Sequence, residues 1–320
     1  MAYAKPPPIT TADPPFNNAS DFADLVIRTS DNVDFLVHRS FLLLKPPSSF
    51  FRNALYGNHH TEEKDGLPVL DVIEDSGIFK SILLFCYPYD TPKFASVEHF
   101  SAVGMVLDKY CMDHAFERFV QTVIASPVIK EQPLRVFAVA VANGWKVLGE
   151  TAARSTLGRR LDGVESNAKE LDGISARHLQ RLLNYHKRCG ESTQIEWTPW
   201  VVKGQPGCDF VQSSWMCSRC RKKLNSVDWH GGKPYSHSWL DNSYLDPVKK
   251  KMLVDPRPEV AFDDGIIRGA ILASTKECND DSWIRDASSK IHKLAQLVAA
   301  EIERCISEVR DGEIFEISTG

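Results

Sequence analysis

Residues 20–52, SDFADLVIRTSDNVDFLVHRSFLLLKPPSSFFR, constrain the fold of this chain more than any other stretch. Two short apolar runs, a turn cluster and a helical pattern succeed one another within about thirty residues, the size of one supersecondary unit. Leu25, Val26 and Ile27 form a β-branched-rich run between Asp24 and Arg28. Ser30, Asp31 and Asn32 read as a turn, because short polar side chains hydrogen-bond their own backbone there. Val33, Phe35 and Val37 then alternate with Asp34, Leu36 and His38, the period of a half-buried strand. The two runs predict a β-hairpin. Phe41, Leu42 and Leu44 open a helical pattern that Pro46 and Pro47 end. Ser48 or Ser49 caps a second helix through Phe50, Phe51, Ala54 and Leu55.

Downstream, residues 67–72 predict a third strand, and the polar residues 59–66 before it read as a loop. His59 and His60 in that loop read as solvent-exposed side chains. Asp75 and Ser76 cap a helix whose apolar face holds Ile78, Phe79, Ile82, Leu83, Phe85 and Cys86, and Pro88 closes it. Helices are predicted over 96–109 and 112–124. Small strand units with helices gathered in the second half predict an α+β domain of about a hundred residues.

The order Asp24-Leu25-Val26-Ile27, then Phe35-x-Val37-His38-Arg39, then Leu42, then Phe50-Phe51-Arg52 resembles the start of a BTB/POZ domain. The likeness continues through Leu67-Pro-Val-Leu-Asp-Val72, Ile78-Phe79-x-x-Ile82-Leu83-x-Phe85-x-Tyr87-Pro88 and Lys109-Tyr110-x-Met112. Pro133-Leu-Arg-Val-Phe-Ala-Val-Ala140 and Tyr185-His186-x-x-Cys189 are similar to the segment after this domain in fungal members of basidiomycete-like type. The resemblance implies a small sheet flanked by helices, protein partners and a homodimer. It places Asp24 and Arg39 at the family's paired acidic and basic positions, in a pocket near the dimer interface. It also implies a substrate-adaptor role with a cullin-RING ubiquitin ligase, whose contact often uses a hydrophobic-x-Glu motif. Here Phe94-Ala95-Ser96 puts Ser96 at the Glu position. Two further departures are Pro46-Pro47-Ser48-Ser49 before the paired Phe and the lack of a recognisable N-terminal strand.

The rest of the chain divides by composition. Residues 1–18 read as a disordered Pro-rich leader, 19–125 as the BTB-like domain and 126–190 as a helical extension. Residues 191–320 read as an irregular Trp- and Cys-containing region with a long terminal helix. Pro133 opens one helix, Asn143-Gly144 ends it, and a second covers 145–157. Ser175 caps a third with Leu179, Leu182, Leu183 and His186 on one face, which Gly190 stops. Residues 191–265 hold five of the seven Trp, which argues for short elements packed by aromatics. Ile284, Ala287, Ile291, Leu294, Val298, Ile302, Cys305 and Val309 recur at gaps of three and four. They predict a terminal helix of about 25–30 residues, ended by Asp311-Gly312 and packed within its own chain.

Net charge is −4 overall, while 126–190 holds 11 Lys+Arg against 6 Asp+Glu. Neither balance favours nucleic acid or a membrane surface, and no apolar run reaches the roughly 18 residues that cross a bilayer. Eight cysteines without a secretory signal point to reduced thiols in cytoplasm or nucleus. Lys249-Lys250-Lys251 is too short to argue for nuclear import.

The strongest metal-like spacing is Cys217-Ser218-Arg219-Cys220, which lets two thiolates meet one ion. Cys278 and Asp281 repeat the spacing with a carboxylate in the fourth place. Zinc is therefore the one cofactor the sequence admits, and a zinc-binding regulatory protein or a redox protein centred on Cys217 and Cys220 is the alternative reading. Reduced, partly buried cysteines are the simpler one. There is no Gly-x-Ser-x-Gly, no phosphate-cradling glycine loop and no His-Glu-x-x-His. The sequence thus predicts a non-enzymatic, self-associating interaction protein.

Overall fold

The computed structural model describes residues 8–18, 22–42, 62–159, 161, 168–194, 238–278 and 280–309. The fold divides into two compact units, residues 1–152 and 153–320. The expected 126–190 segment is therefore shared between the two units, with the boundary inside one of its helices.

Unit one is built on a sheet of five strands among the described residues: β1 (Thr10–Thr11), β2 (Leu25–Arg28), β3 (Val33–Val37), β4 (Glu62–Lys64) and β5 (Leu67–Asp71), in the order β1-β3-β2-β5-β4. β2 and β3 form the predicted antiparallel hairpin, with Leu25 opposite Val37 and Arg28 opposite Asp34. Its turn is tied by Thr29 Oγ1, which donates to Asp31 Oδ1 at 2.6 Å, and by Asn32 at φ 60°. Asp31 also accepts from the Ser76 N–H and hydroxyl at 3.0 and 2.6 Å, fixing the turn to the start of the next helix. β5 runs parallel to β2, and β4 antiparallel to β5.

Two strands differ from the expectation. The leader is ordered from residue 8: β1 pairs in parallel with β3, and Phe16 is 1 % exposed. Proline content did not prevent this, because an edge strand leaves half its N–H groups without a ladder role. The expected loop at 59–66 contains β4. Asp65 (φ 53°) and Gly66 (φ 77°) are the tight turn that joins it to β5, the Asp-Gly pair such hairpins prefer.

The helices of unit one follow the sequence closely. They are α1 (Arg39–Leu42), α2 (Ser76–Cys86), α3 (Val97–Lys109), α4 (Asp113–Ala125), α5 (Val128–Glu131), α6 (Pro133–Ala142) and the first part of α7 (Lys146–Ser155). Asp75 caps α2 by accepting from the Ile78 N–H at 2.9 Å, and Ser96 caps α3 by accepting from His99 N–H at 3.2 Å. α6 begins at Pro133, and Gly144 at φ 72° takes the chain out of it. Phe35, Phe79, Phe85, Phe94, Phe100 and Phe119 fill the core between sheet and helices. Met105 of α3 is 46 % exposed.

Unit two holds α8 (Ala176–Ser192), α9 (Ser238–Leu240), a π-helical turn (Asp241–Leu245), α10 (Asp246–Met252), a short 3-10 turn (Pro258–Phe262), α11 (Asp264–Cys278) and α12 (Asp281–Ser307). α8 does not stop at Gly190. That glycine is buried against the Met252 carbonyl and Leu253, where a Cβ would lie only 3.1 Å from the carbonyl oxygen. α11 was not legible in the sequence. Its buried positions are Ile267, Ala270, Ser274 and Cys278, three of them small. α12 is the predicted terminal helix and packs within the unit, against α11, the 3-10 turn and α8. Trp283 fills the inward position and Ile284, expected there, is 46 % exposed. Of the expected helices over 41–56 only Phe41 and Leu42 are described, at the end of α1; residues 43–56, His59 and His60, the 195–237 part of the Trp-rich region and Asp311-Gly312 lie outside the described residues.

Candidate functional site

The sequence expects Asp24 and Arg39 to meet, and the hairpin brings them together. The Asp24 N–H donates to the Val37 carbonyl at 3.1 Å, so Asp24 sits where the β2–β3 ladder ends and α1 begins. Its Oδ1 accepts from the backbone N–H of Arg39 at 2.8 Å. In return Arg39 Nε donates to the Asp24 carbonyl at 3.2 Å. The pairing is side chain to backbone in both directions, not carboxylate to guanidinium. Asp24 is exposed and Arg39 half-buried, so both keep charged edges in water. Exposed charges of this kind contribute little to stability, roughly 0–1 kcal/mol.

Two residues before Asp24 stands Phe22, which is 87 % exposed at φ 61°. A bulky residue in the left-handed region is an outlier that costs of order 1–3 kcal/mol. Sequence reasoning missed it, since a lone Phe beside a strand reads as core.

Behind α1 lies an aromatic cluster. The Tyr87 hydroxyl accepts from the His38 N–H at 2.7 Å, and its ring contacts Phe41 (4.3 Å between centroids), Phe16 (5.2 Å) and Tyr89 (5.8 Å, stacked). Burial pushes the Tyr87 phenol up to about 12. Arg118 on α4 holds the loop that carries these tyrosines, donating to the carbonyls of Phe85 at 2.6 Å and Tyr87 at 2.9 Å. Those carbonyls stand at the negative end of α2, where a cation is favoured. Beside the cluster, Phe41, Leu42, Met112 and Ala115 line a small apolar dimple with Cys86 and His114. Burial raises the Cys86 thiol to about 12, so it stays protonated and is no nucleophile at neutral pH.

A second charged group lies inside the sheet. Asp34 is fully buried and meets Arg28 Nε at 2.7 Å and Lys64 Nζ at 2.7 Å, while Arg28 also reaches Glu62 at 2.8 Å. Burial alone would raise the Asp34 carboxyl; hydrogen bonds from Arg28 and Lys64 outweigh it and hold it below the usual range. The four charges tie β2, β3 and β4 together.

Residues 14–124 match the BTB/POZ domain family. The chain carries a BTB/POZ domain, a protein–protein interaction module. The match begins after β1, takes in β2 to β5 and ends in the last turn of α4. No curated protein matches the chain.

Of the expected metal residues, Cys278 closes α11 at 1 % exposure, and Asp281 opens α12 exposed to solvent. Asp280 caps α12 through its side chain, which accepts from Ser282 N–H at 3.0 Å. Cys278 and Asp281 thus face different environments. Cys217 and Cys220 lie outside the described residues, and among the described residues no group of three or more His, Cys, Asp and Glu side chains is placed to hold a metal ion. Among them, too, no helix is long and apolar enough to cross a membrane.

Proposed function

We propose that this chain is a non-enzymatic interaction protein that self-associates through the face of its BTB/POZ domain around Phe22, Asp24 and Arg39. Phe22 carries the reading. An aromatic exposed to 87 % in strained backbone gains about 2–3 kcal/mol when buried. Beside it one acid and one base share a patch. A two-fold interface places the same patch on both copies. Sedimentation equilibrium of the whole chain and of its Phe22→Ser variant tests this. The variant should dissociate at least ~10-fold more readily; equal dissociation constants would overturn the reading.

A cullin-adaptor role draws less support. Phe94, the hydrophobic residue of the loop, lies in the core at 2 % exposure, and Ser96 at the Glu position spends its hydroxyl capping α3. A zinc-dependent or redox role rests on Cys217 and Cys220. Metal analysis of the purified chain decides it: stoichiometric zinc supports the metal, and its absence removes it. Cysteine usage supports residence in cytoplasm or nucleus, and the likeness of 133–140 and 185–189 to fungal members supports a fungal source.

A further inference from the structure

The domain pairs its own N-terminal arm with one edge of its sheet. β1 lies parallel to β3 along one outer edge of the sheet. The Thr10 N–H donates to the Asn32 carbonyl and the Ala12 N–H to the Asp34 carbonyl, both at 2.9 Å, and the Leu36 N–H donates to the Phe16 carbonyl at 2.9 Å. Three backbone bonds therefore span the β3 edge. Thr10 and Thr11 are exposed, while the Phe16 ring is buried against Phe35, Tyr87 and Tyr89 at 6.1, 5.2 and 6.1 Å. Between strand and ring, Asp13 lies 3.8 Å from Lys80 Nζ. A short strand that supplies main-chain bonds, then one side chain in a pocket, is the anatomy of strand-addition recognition.

We propose that the β3 edge and the Phe16 pocket together form a docking site for an extended segment of another protein, and that residues 10–16 occupy it as a competitor in the same chain. The arm defines the occupant: two or three small residues in parallel register, an acidic residue opposite Lys80, and an aromatic side chain just beyond. A competitor in the same chain lowers the apparent affinity of any outside segment by the fraction of time the site stands open. Loss of one buried Phe raises that fraction on the order of ten- to a hundred-fold.

The probe is a labelled, end-capped peptide of residues 8–18, and the readout is fluorescence anisotropy with the whole chain. The Phe16→Ala chain should bind the peptide at least ten times more tightly than the wild-type chain does. Thr10 and Val33 are direct partners in the register, so a Thr10→Cys, Val33→Cys chain can be clamped shut by oxidation. The clamped chain should bind no peptide and recover binding on reduction, which decides the matter even where Phe16→Ala fails to fold. Equal binding by clamped and reduced chains, or no binding by the Phe16→Ala and reduced chains, overturns the proposal. A dimer seen by light scattering that the oxidised clamp abolishes would also overturn it, because the occupant would then be the arm of a second copy.

Discussion

Phe94 separates two accounts of the loop before α3, and its replacement by alanine has a calculable effect. The ring is 2 % exposed, stacked on Phe85 at 6.1 Å and edge-on to Phe119 at 5.7 Å and Phe100 at 6.3 Å. Removing a buried Phe side chain from such a site costs about 3–5 kcal/mol, the transfer free energy plus the cavity left behind. With a urea slope of about 2 kcal/mol per molar for a unit of this size, the midpoint falls by about 1.5–2.5 M. Urea unfolding of the whole chain, tracked by circular dichroism and by tryptophan fluorescence, to which Trp145, packed on Phe119 at 5.6 Å, contributes, measures the shift. A docking residue on an exposed loop would change stability by less than about 0.5 kcal/mol. A midpoint that stays put in Phe94→Ala would refute the core assignment and return Phe94 to the surface.

Three further outcomes are expected. Gly104→Ala should lower the calorimetric transition of unit one, because a Cβ there would lie 2.4 Å from Trp145 and 2.7 Å from Phe119. Overpacking of about 1–3 kcal/mol offsets the alanine helix propensity, and an unchanged or raised transition would contradict it. Asp34→Ala should cost about 3–5 kcal/mol by urea unfolding, since it strips Arg28 and Lys64 of their buried partner. The native carboxyl is held low, so its stabilisation is present above the ordinary pKa of about 3.9 and is lost as pH falls below it; a variant as stable as the native chain at pH 7 would refute the ion cluster. His186, hydrogen-bonded to Thr156 Oγ1 at 2.6 Å, is held by burial at about 4, below its usual 6.5. The fold prefers the neutral ring, so the unfolded chain takes up the proton first and stability falls from about pH 6.5 toward pH 4, by ~3 kcal/mol in all. Urea midpoints across that range should fall less steeply for His186→Gln; equal slopes would count against it.

Most of unit one was legible because its local signals agree with its packing. Asp75 and Ser96 cap where capping residues should, Pro133 opens a helix, and the Leu25–Arg28 and Val33–Val37 runs pair in the expected hairpin. β1 and β4 were hidden for a different reason. Each has two or three residues, and edge strands carry polar side chains, so no apolar period marks them. Asp34 read as a solvent-facing position, yet its cross-strand partner Arg28 and the neighbouring Lys64 bury it. α11 escaped because alanine, serine and cysteine form much of its buried stripe. At the candidate site, Asp24 and Arg39 were legible through resemblance alone, and their bonding through backbone groups was not. Phe22 was illegible altogether, because nothing in a sequence marks the one aromatic that points outward.

Self-association of the intact molecule is the claim on which the function rests, and light scattering over a dilution series measures it most directly. At tens of micromolar the account predicts a particle of twice the 35.9 kDa chain, falling toward the single chain on dilution. A mass of one chain at every concentration would contradict it.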